Sequence, residues 1–321
     1  MTPSLPPAAA VLCPSPPVLA AFDNDFCAAV PAFAAFAREN RGTAVLLQLG
    51  WECQSDARAD SLSEAVSRFL GEAPGSRAVV LCNARAELEA LGRRNVETRL
   101  ANHNAVLDER RYRPIRRPKR YDAIYLARFT PFKRHSLVPS SLAPRLLCLG
   151  ASVRASEREW AEKAREPLRE ATWIPRFPGA KISLLLARAR CGLALSSAEG
   201  ACFASSEYLL CGLPVVDTPA IGGRSELYPD GFVASVEATP DAVGAGVERW
   251  LSAAPDPWRV RAAWLAKARP HREAFRALMR ELTGREQGRP PHKLGLRTPH
   301  PGTAHTLAIA ALNRVAAVLN R

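Results

Sequence analysis

Short apolar runs and amphipathic runs take turns along most of this chain, and that alternation limits the fold more than any single motif. TAVLLQLGWE, RAVVLCN, YDAIYLA, PRLLCLG, ATWIP, CGLALS and LPVVDT have the length and apolar content of buried strands. Between them, SLSEAVSRFLGEA, ARAELEALGRR, REWAEKAREPL, KISLLLARAR, ASSEYLLC and DAVGAGVERWLSA carry apolar residues at helical spacing, and 257–283 reads as helix as well. Strand-helix-strand repetition of this kind builds parallel sheets with helices packed on their faces. The segment 107–120 interrupts the pattern. It is polar and basic and carries Pro114 and Pro118, so it reads as a linker between two such series. We therefore expect an α/β chain of two Rossmann-like domains, the first over 1–115 and the second over 120–300, facing a cleft. A terminal helix over 303–321 would pack back on the smaller first domain.

Composition narrows the function classes. At 321 residues, with 47% hydrophobic and 23% charged, the chain has a globular profile with material for two cores. No run approaches the length of a membrane span; TLAIAAL near the end is broken by Asn313 and Arg314. The apolar beginning lacks a basic leader and is studded with prolines, which argues against a secretory signal. Eight cysteines lie scattered, without a C-x-x-C pair, and most fall inside apolar runs. They read as small buried residues of a reducing, cytoplasmic compartment rather than as zinc ligands. A net charge of +13 suits an anionic partner, although an evenly basic surface accounts for it equally. Only RRYRPIRRPKR at 110–120 is dense, and neither a nucleic-acid motif nor interleaved aromatics accompanies it.

The chemistry concentrates in EGACFASSEYLLCGLPVVDTP, residues 199–219. CGLALS ends as a strand just before Glu199, and a helix beginning near Ala204 closes at Cys211 with Gly212 as its cap. The amides around 202–205 would then point at an anion beside the strand end. A capping box accounts for neither carboxylate in full. Three residues before Glu207 stands Ala204, which cannot cap; three before Glu199 stands Ser196, which allows a local Ser–Glu bond, yet no helix starts at Gly200.

EGACFASSEYLLCGLPVVDTPAIGGRSELYPDG resembles the donor-binding segment of family 4 (group 1) glycosyltransferases. That family has Glu-x7-Glu, then CG-P-V, GG-x-x-E and a DG turn; here these are Glu199 and Glu207, Cys211-Gly212, Pro214-Val215, Gly222-Gly223 with Glu226, and Asp230-Gly231. YDAIYLARFTPFKRHSL is similar to the opening of the family's second domain, with Arg128 and Lys133 at the family's spacing. ANHNAVLDERRYRPI is similar to its interdomain joint. The resemblance covers about residues 80–250 and implies a GT-B fold. It implies a retaining, metal-independent transfer of a sugar from a nucleotide-diphosphate sugar to an unspecified acceptor, with no cofactor. Glu199 would be the catalytic-site carboxylate that takes hydrogen bonds from donor-sugar hydroxyls. Arg128, Lys133 and the amides of Cys202, Phe203 and Ala204 would hold the diphosphate, and Glu207 the ribose. Carboxylates suit the two Glu roles because they only accept hydrogen bonds. The sequence departs from the family's EGFG at Cys202, where a Cβ replaces a glycine beside the phosphates.

For the acceptor, position alone suggests Asp23, Trp51 and Glu52, which follow apolar runs. Asp23-Asn24-Asp25 could also grip a divalent ion, but it reads better as a polar turn. The partners expected are a nucleotide-sugar donor and a glycan or glycolipid acceptor, with the basic stretch touching an anionic membrane at its inner face. The alternative is a catalytically silent nucleotide-sugar-binding or partner-interaction module of the same fold.

Overall fold

The computed structural model describes residues 5–150, 155–175 and 181–284, which leaves Arg176 and the expected 303–321 helix outside the described residues. In chain order the first elements are β1 (Ala10–Pro14), β2 (Pro17–Phe22), α1 (Asp23–Ala28), α2 (Val30–Glu39), β3 (Ala44–Gln48), α3 (Asp56–Glu72), β4 (Arg77–Cys82), α4 (Arg85–Gly92) and β5 (Thr98–Leu100). After a stretch with a single 3-10 turn, His103–Val106, come β6 (Tyr121–Tyr125), β7 (Leu146–Leu149), α5 (Arg158–Arg165), β8 (Thr172–Ile174), α6 (Ile182–Leu186) and β9 (Ala189–Ala194). The series ends with β10 (Ala198–Glu199), α7 (Phe203–Leu210), β11 (Val215–Asp217), β12 (Ile221–Gly222), β13 (Val233–Ser235), α8 (Pro240–Ala253) and α9 (Pro257–Thr283).

Two compact units result. The first comprises Met1–Leu107 and Arg269–Arg321, so far as these are described, and the second comprises Asp108–Ala268. In the first, five strands lie in the order β1-β2-β3-β4-β5. The β1–β2 pair is antiparallel, and the other neighbours are parallel. The strands read as near-continuous apolar runs because both sheet faces are covered. Leu19, Ala21, Val45, Leu47 and Val80 point to the helical side, where Phe26, Phe33, Leu62, Phe69 and Leu91 pack on them. Val18, Ala20, Ala44, Leu46, Val79 and Leu81 face the other way, onto Phe275, Leu278 and Met279 of α9.

That second face corrects the expected boundary. The sequence places residues 269–283 in the second domain, but alternate strand residues need an apolar cover, and the end of α9 supplies it. Each of its three buried side chains contributes about 2 kcal/mol of burial. The first boundary likewise falls at Leu107 rather than 115. Asp23-Asn24-Asp25 is also not a turn: it forms the first turn of α1, where carboxylates suit the positive end of the helix.

The second unit holds a six-stranded parallel sheet in the order β13-β11-β9-β6-β7-β8. The chain starts at β6 in the middle, runs outward through β7 and β8, then returns to β9 on the other side and runs outward again. The strand order therefore reverses between β6 and β9. At such a reversal the connections leave in opposite directions and open a crevice at the carboxyl ends of the strands. Gly192 of β9 lets α7 approach: a Cβ there would lie 2.1 Å from the Tyr208 ring, whose hydroxyl accepts from the Leu126 amide at 2.8 Å.

Candidate functional site

The loops leaving β6 and β9 carry most of the residues singled out by sequence. After β6 the chain makes tight 3-10 turns over Pro131–Lys133 and His135–Leu137, with Arg134 between them in the left-handed region at φ 50°. Two contacts hold this loop rigidly. The Tyr125 hydroxyl donates to the Lys133 carbonyl, and the His135 ring stacks on Phe129 with centroids 5.3 Å apart. Burial pushes the His135 imidazole down to about 4, helped by the charge of Lys133, so the ring is neutral at physiological pH. The Ser197 amide donates to the Phe132 carbonyl at 2.8 Å and ties the loop to the one leaving β9.

These ties bring Lys133 onto Glu199: the ammonium donates to Oε1 of the carboxylate, and both side chains are largely buried. Ser196 donates to the same oxygen at 2.7 Å, which is the local Ser–Glu bond the spacing allowed. Behind it lies a set of charges that sequence reasoning missed. Arg224, with a side chain only 2% exposed, donates from Nη1 to the Ser196 hydroxyl at 2.8 Å and to its carbonyl at 2.9 Å. Its Nη2 donates to the Thr218 carbonyl and pairs with Asp217 at 2.8 Å, while the Tyr228 hydroxyl donates to Asp217 at 2.9 Å. Burial raises the Asp217 carboxyl and the Arg224 charge lowers it. Arg134 reaches the same place from the other loop, donating to the carbonyls of Leu195 (2.6 Å), Ser196 (3.1 Å) and Pro219 (3.0 Å) and to the Thr218 hydroxyl (2.7 Å). The signal for Arg224 was its place inside GGRSE; nothing in the spacing marked it as buried.

The glycine pair is laced to Glu199. β10 pairs with β12, and the Gly223 amide donates to the Gly200 carbonyl at 2.7 Å, with Gly222 at φ 106°. Cys202 takes the left-handed conformation at φ 49° as N-cap of α7, so the backbone turn forms in the presence of a side chain. The helix begins at Phe203, one residue before the expected Ala204; Phe203 is exposed, whereas Cys202 and Ala204 are half-buried.

The remaining candidates are placed as follows. Arg128 donates from Nε (3.0 Å) and Nη2 to Glu157, a buried carboxylate outside the motifs. Glu207 is buried on α7 and accepts from the Tyr112 hydroxyl at 2.7 Å. In the first unit, Asp23 is buried. It accepts from the Gly50 amide at 2.9 Å and pairs with Arg58 at 3.0 Å. Glu52 accepts from the Gln54 amide at 2.9 Å and from the Ser55 amide at 3.4 Å, and Trp51 beside it is half-buried.

With this geometry in hand, known structures were compared. The chain is similar to HepE of Anabaena, solved with UDP, at 14% identity over 83% of this chain and 76% of that one, with a TM-score of 0.57. The fold is GT-B. An apo OtsA structure matches the GT-B arrangement of elements at 12% identity over 85% and 73%, TM-score 0.61. The sucrose-phosphate synthase of Thermosynechococcus elongatus matches at 16% over 91% and 77%, TM-score 0.56. No protein-family model and no curated protein matches the sequence. Among the described residues, no helix is long and apolar enough to cross a membrane.

Proposed function

We propose that this chain transfers a sugar from a nucleotide-diphosphate sugar to a hydroxyl acceptor. One observation carries the reading: at the strand-order reversal of a GT-B unit, the loops after β6 and β9 press Lys133 against Glu199. A buried cation and a buried carboxylate in a ligand crevice suit a donor that is itself bipartite, with an anionic diphosphate beside a neutral sugar. Lys133 and Arg128 neutralise the departing diphosphate together with the amides at Cys202, Phe203 and Ala204. Glu199 accepts from sugar hydroxyls, and Glu207, held by Tyr112, from the ribose. Asp23, Trp51 and Glu52 are the acceptor-side candidates.

In the retaining course, the bond between the anomeric carbon and the phosphate oxygen breaks, and the acceptor oxygen bonds to that carbon on the same face. The acceptor's proton passes to the departing phosphate, which leaves as the nucleoside diphosphate. The clamp requires no metal, because Lys133, Arg128 and the start of α7 supply the positive charge. UDP is the first nucleotide to try, since HepE was solved with UDP and with UDP-glucose. The basic run, with Arg110, Arg113, Arg116, Arg117, Lys119 and Arg120 exposed, suits an acceptor presented at an anionic membrane.

Calorimetry with UDP, GDP and ADP and their sugar forms tests this reading. Binding persists in EDTA, and Lys133→Ala weakens it by about 1–3 kcal/mol, the scale of a lost charged hydrogen bond. Binding abolished by EDTA but untouched in Lys133→Ala refutes it. Binding without transfer or hydrolysis identifies a silent nucleotide-sugar module instead.

A further inference from the structure

We infer that Arg224 is a positioning residue for Glu199, acting through the Ser196 hydroxyl to set how the carboxylate meets the sugar of the donor. The inference rests on the nucleotide-sugar reading above. Its direction follows from hydrogen-bond polarity. A guanidinium only donates, so the Ser196 oxygen must accept from Arg224, and the serine's own hydrogen is left to go to Glu199 Oε1. Lys133 donates to that same oxygen. Among the described residues, both hydrogen bonds to this carboxylate, from Lys133 and Ser196, fall on Oε1. This fixes the rotamer and leaves Oε2, with two lone pairs, for sugar hydroxyls.

The relay is anchored independently of any ligand. Asp217 and the Thr218 carbonyl hold the far side of Arg224, and the Tyr228 hydroxyl holds Asp217. Arg134 fastens the Leu195 and Ser196 carbonyls from the opposite loop, so the serine cannot swing away from Glu199. A carboxylate set this rigidly loses little conformational freedom on binding, which favours a ligand whose hydroxyls sit where Oε2 points. The relay meets the sugar through Glu199 and nears the diphosphate only through Lys133, which shares Oε1, so its loss must weaken sugar recognition more than nucleotide recognition.

Calorimetry with UDP-glucose and UDP as paired probes reads this directly, with the GDP and ADP pairs run in parallel. Ser196→Ala weakens the nucleotide-sugar about tenfold, one lost hydrogen bond to a charged group, and leaves the free nucleotide within twofold. Ser196→Thr, which keeps the hydroxyl, restores the difference. Arg224→Met weakens the sugar form at least as much, and the double variant is no weaker than Arg224→Met alone, because both changes cut one path. If Arg224→Met does not fold, the Ser196→Ala and Ser196→Thr pair decides by itself. Equal weakening of both probes, or effects that multiply in the double variant, overturns the relay. Failure of the wild-type chain to bind any of the nucleotides refutes the functional reading and takes the relay with it, whereas normal wild-type binding with unchanged sugar discrimination in the variants refutes the relay alone.

Discussion

The two sheets are built from the same strand-and-helix material, yet they treat the polar groups at their carboxyl edges differently. In the first unit the strands follow in sequence order, so no reversal opens a crevice. The carboxylates there bind the protein itself. Asp23 after β2 takes the Gly50 amide and Arg58, Glu52 after β3 takes two amides of its own turn, and Glu87 after β4 takes the amides of Asn83 (2.7 Å), Ala84 (3.1 Å) and Cys53 (3.2 Å). In the second unit the order reverses between β6 and β9, and the groups at the carboxyl edges include Lys133, Arg134, Glu199, Asp217 and Arg224. Polar residues at strand ends are therefore not in themselves a site. The reversal of strand order is what separates the second edge from the first.

Glycine substitution separates the two units most strongly. Gly192→Ala puts a methyl into the Tyr208 ring behind the candidate site, and we expect a stability loss of about 3 kcal/mol, the upper end for overpacking, seen as a lower denaturant midpoint. Gly71→Ala, near the end of α3 in the first unit, meets nothing within 4 Å and should stabilise by up to about 1 kcal/mol through helix propensity. Equal effects would mean that α7 is not held against β9 as described.

Acid titration gives the next largest contrast. Burial pushes His103 and His271 in the first unit and His135 in the second down to about 4 from the usual 6.5. Between those values the unfolded chain binds protons that the folded chain refuses, so these histidines make stability fall as pH drops from about 6.5 to 4. Burial raises Glu87 to about 7 against an ordinary 4.5, the reverse case: the folded chain keeps a proton that the unfolded chain releases. Its contribution is full below about 4.5 and declines as pH rises to 7. Melting temperatures from pH 7 to 4.5 should therefore fall. His271→Gln should flatten the fall, and an unchanged slope would remove that imidazole from the account.

The smallest effect expected is at Cys202. A left-handed non-glycine residue costs about 1–2 kcal/mol, and glycine returns part of that as lost chain entropy. Cys202→Gly should raise stability by less than about 1 kcal/mol in thermal denaturation, and a clear loss would show that the thiol makes a packing contribution of its own.

Several strands were legible because buried parallel strands are largely apolar: β3, β4, β6 and β11 fall inside the runs read as strand, whereas β9 begins two residues earlier, at the end of a run read as helix, and β1 and β13 lie outside those runs. β5 was not legible, since Thr98, Arg99 and Leu100 are half-buried and mixed in character. The site was legible where residues follow one another closely, as in Glu199, Ser196 and the α7 turn, or where a motif fixed the distance, as for Lys133. Arg224 and Arg134 were not, because their partners are carbonyls, hydroxyls and, for Arg224, the Asp217 carboxylate, brought near by the β9 and β11 strand ends, a relation that exists only once the sheet has formed. Glu157, 29 residues from Arg128, escaped for the same reason.

The course of α9 sets an order of assembly. The chain leaves the first unit at Leu107, completes the second by Ala268, and only then delivers Phe275, Leu278 and Met279 to the first sheet. On a ribosome, the unit that is second in sequence can be finished first. Throughout that interval Val18, Ala20, Leu46, Val79 and Leu81 present an uncovered apolar surface to whatever else is nascent or nearby. A premature stop before residue 269 would strand the protein in that condition, with a whole second unit attached to a first that lacks the cover of one sheet face. Helix α9 is thus the closing stitch of the opening domain.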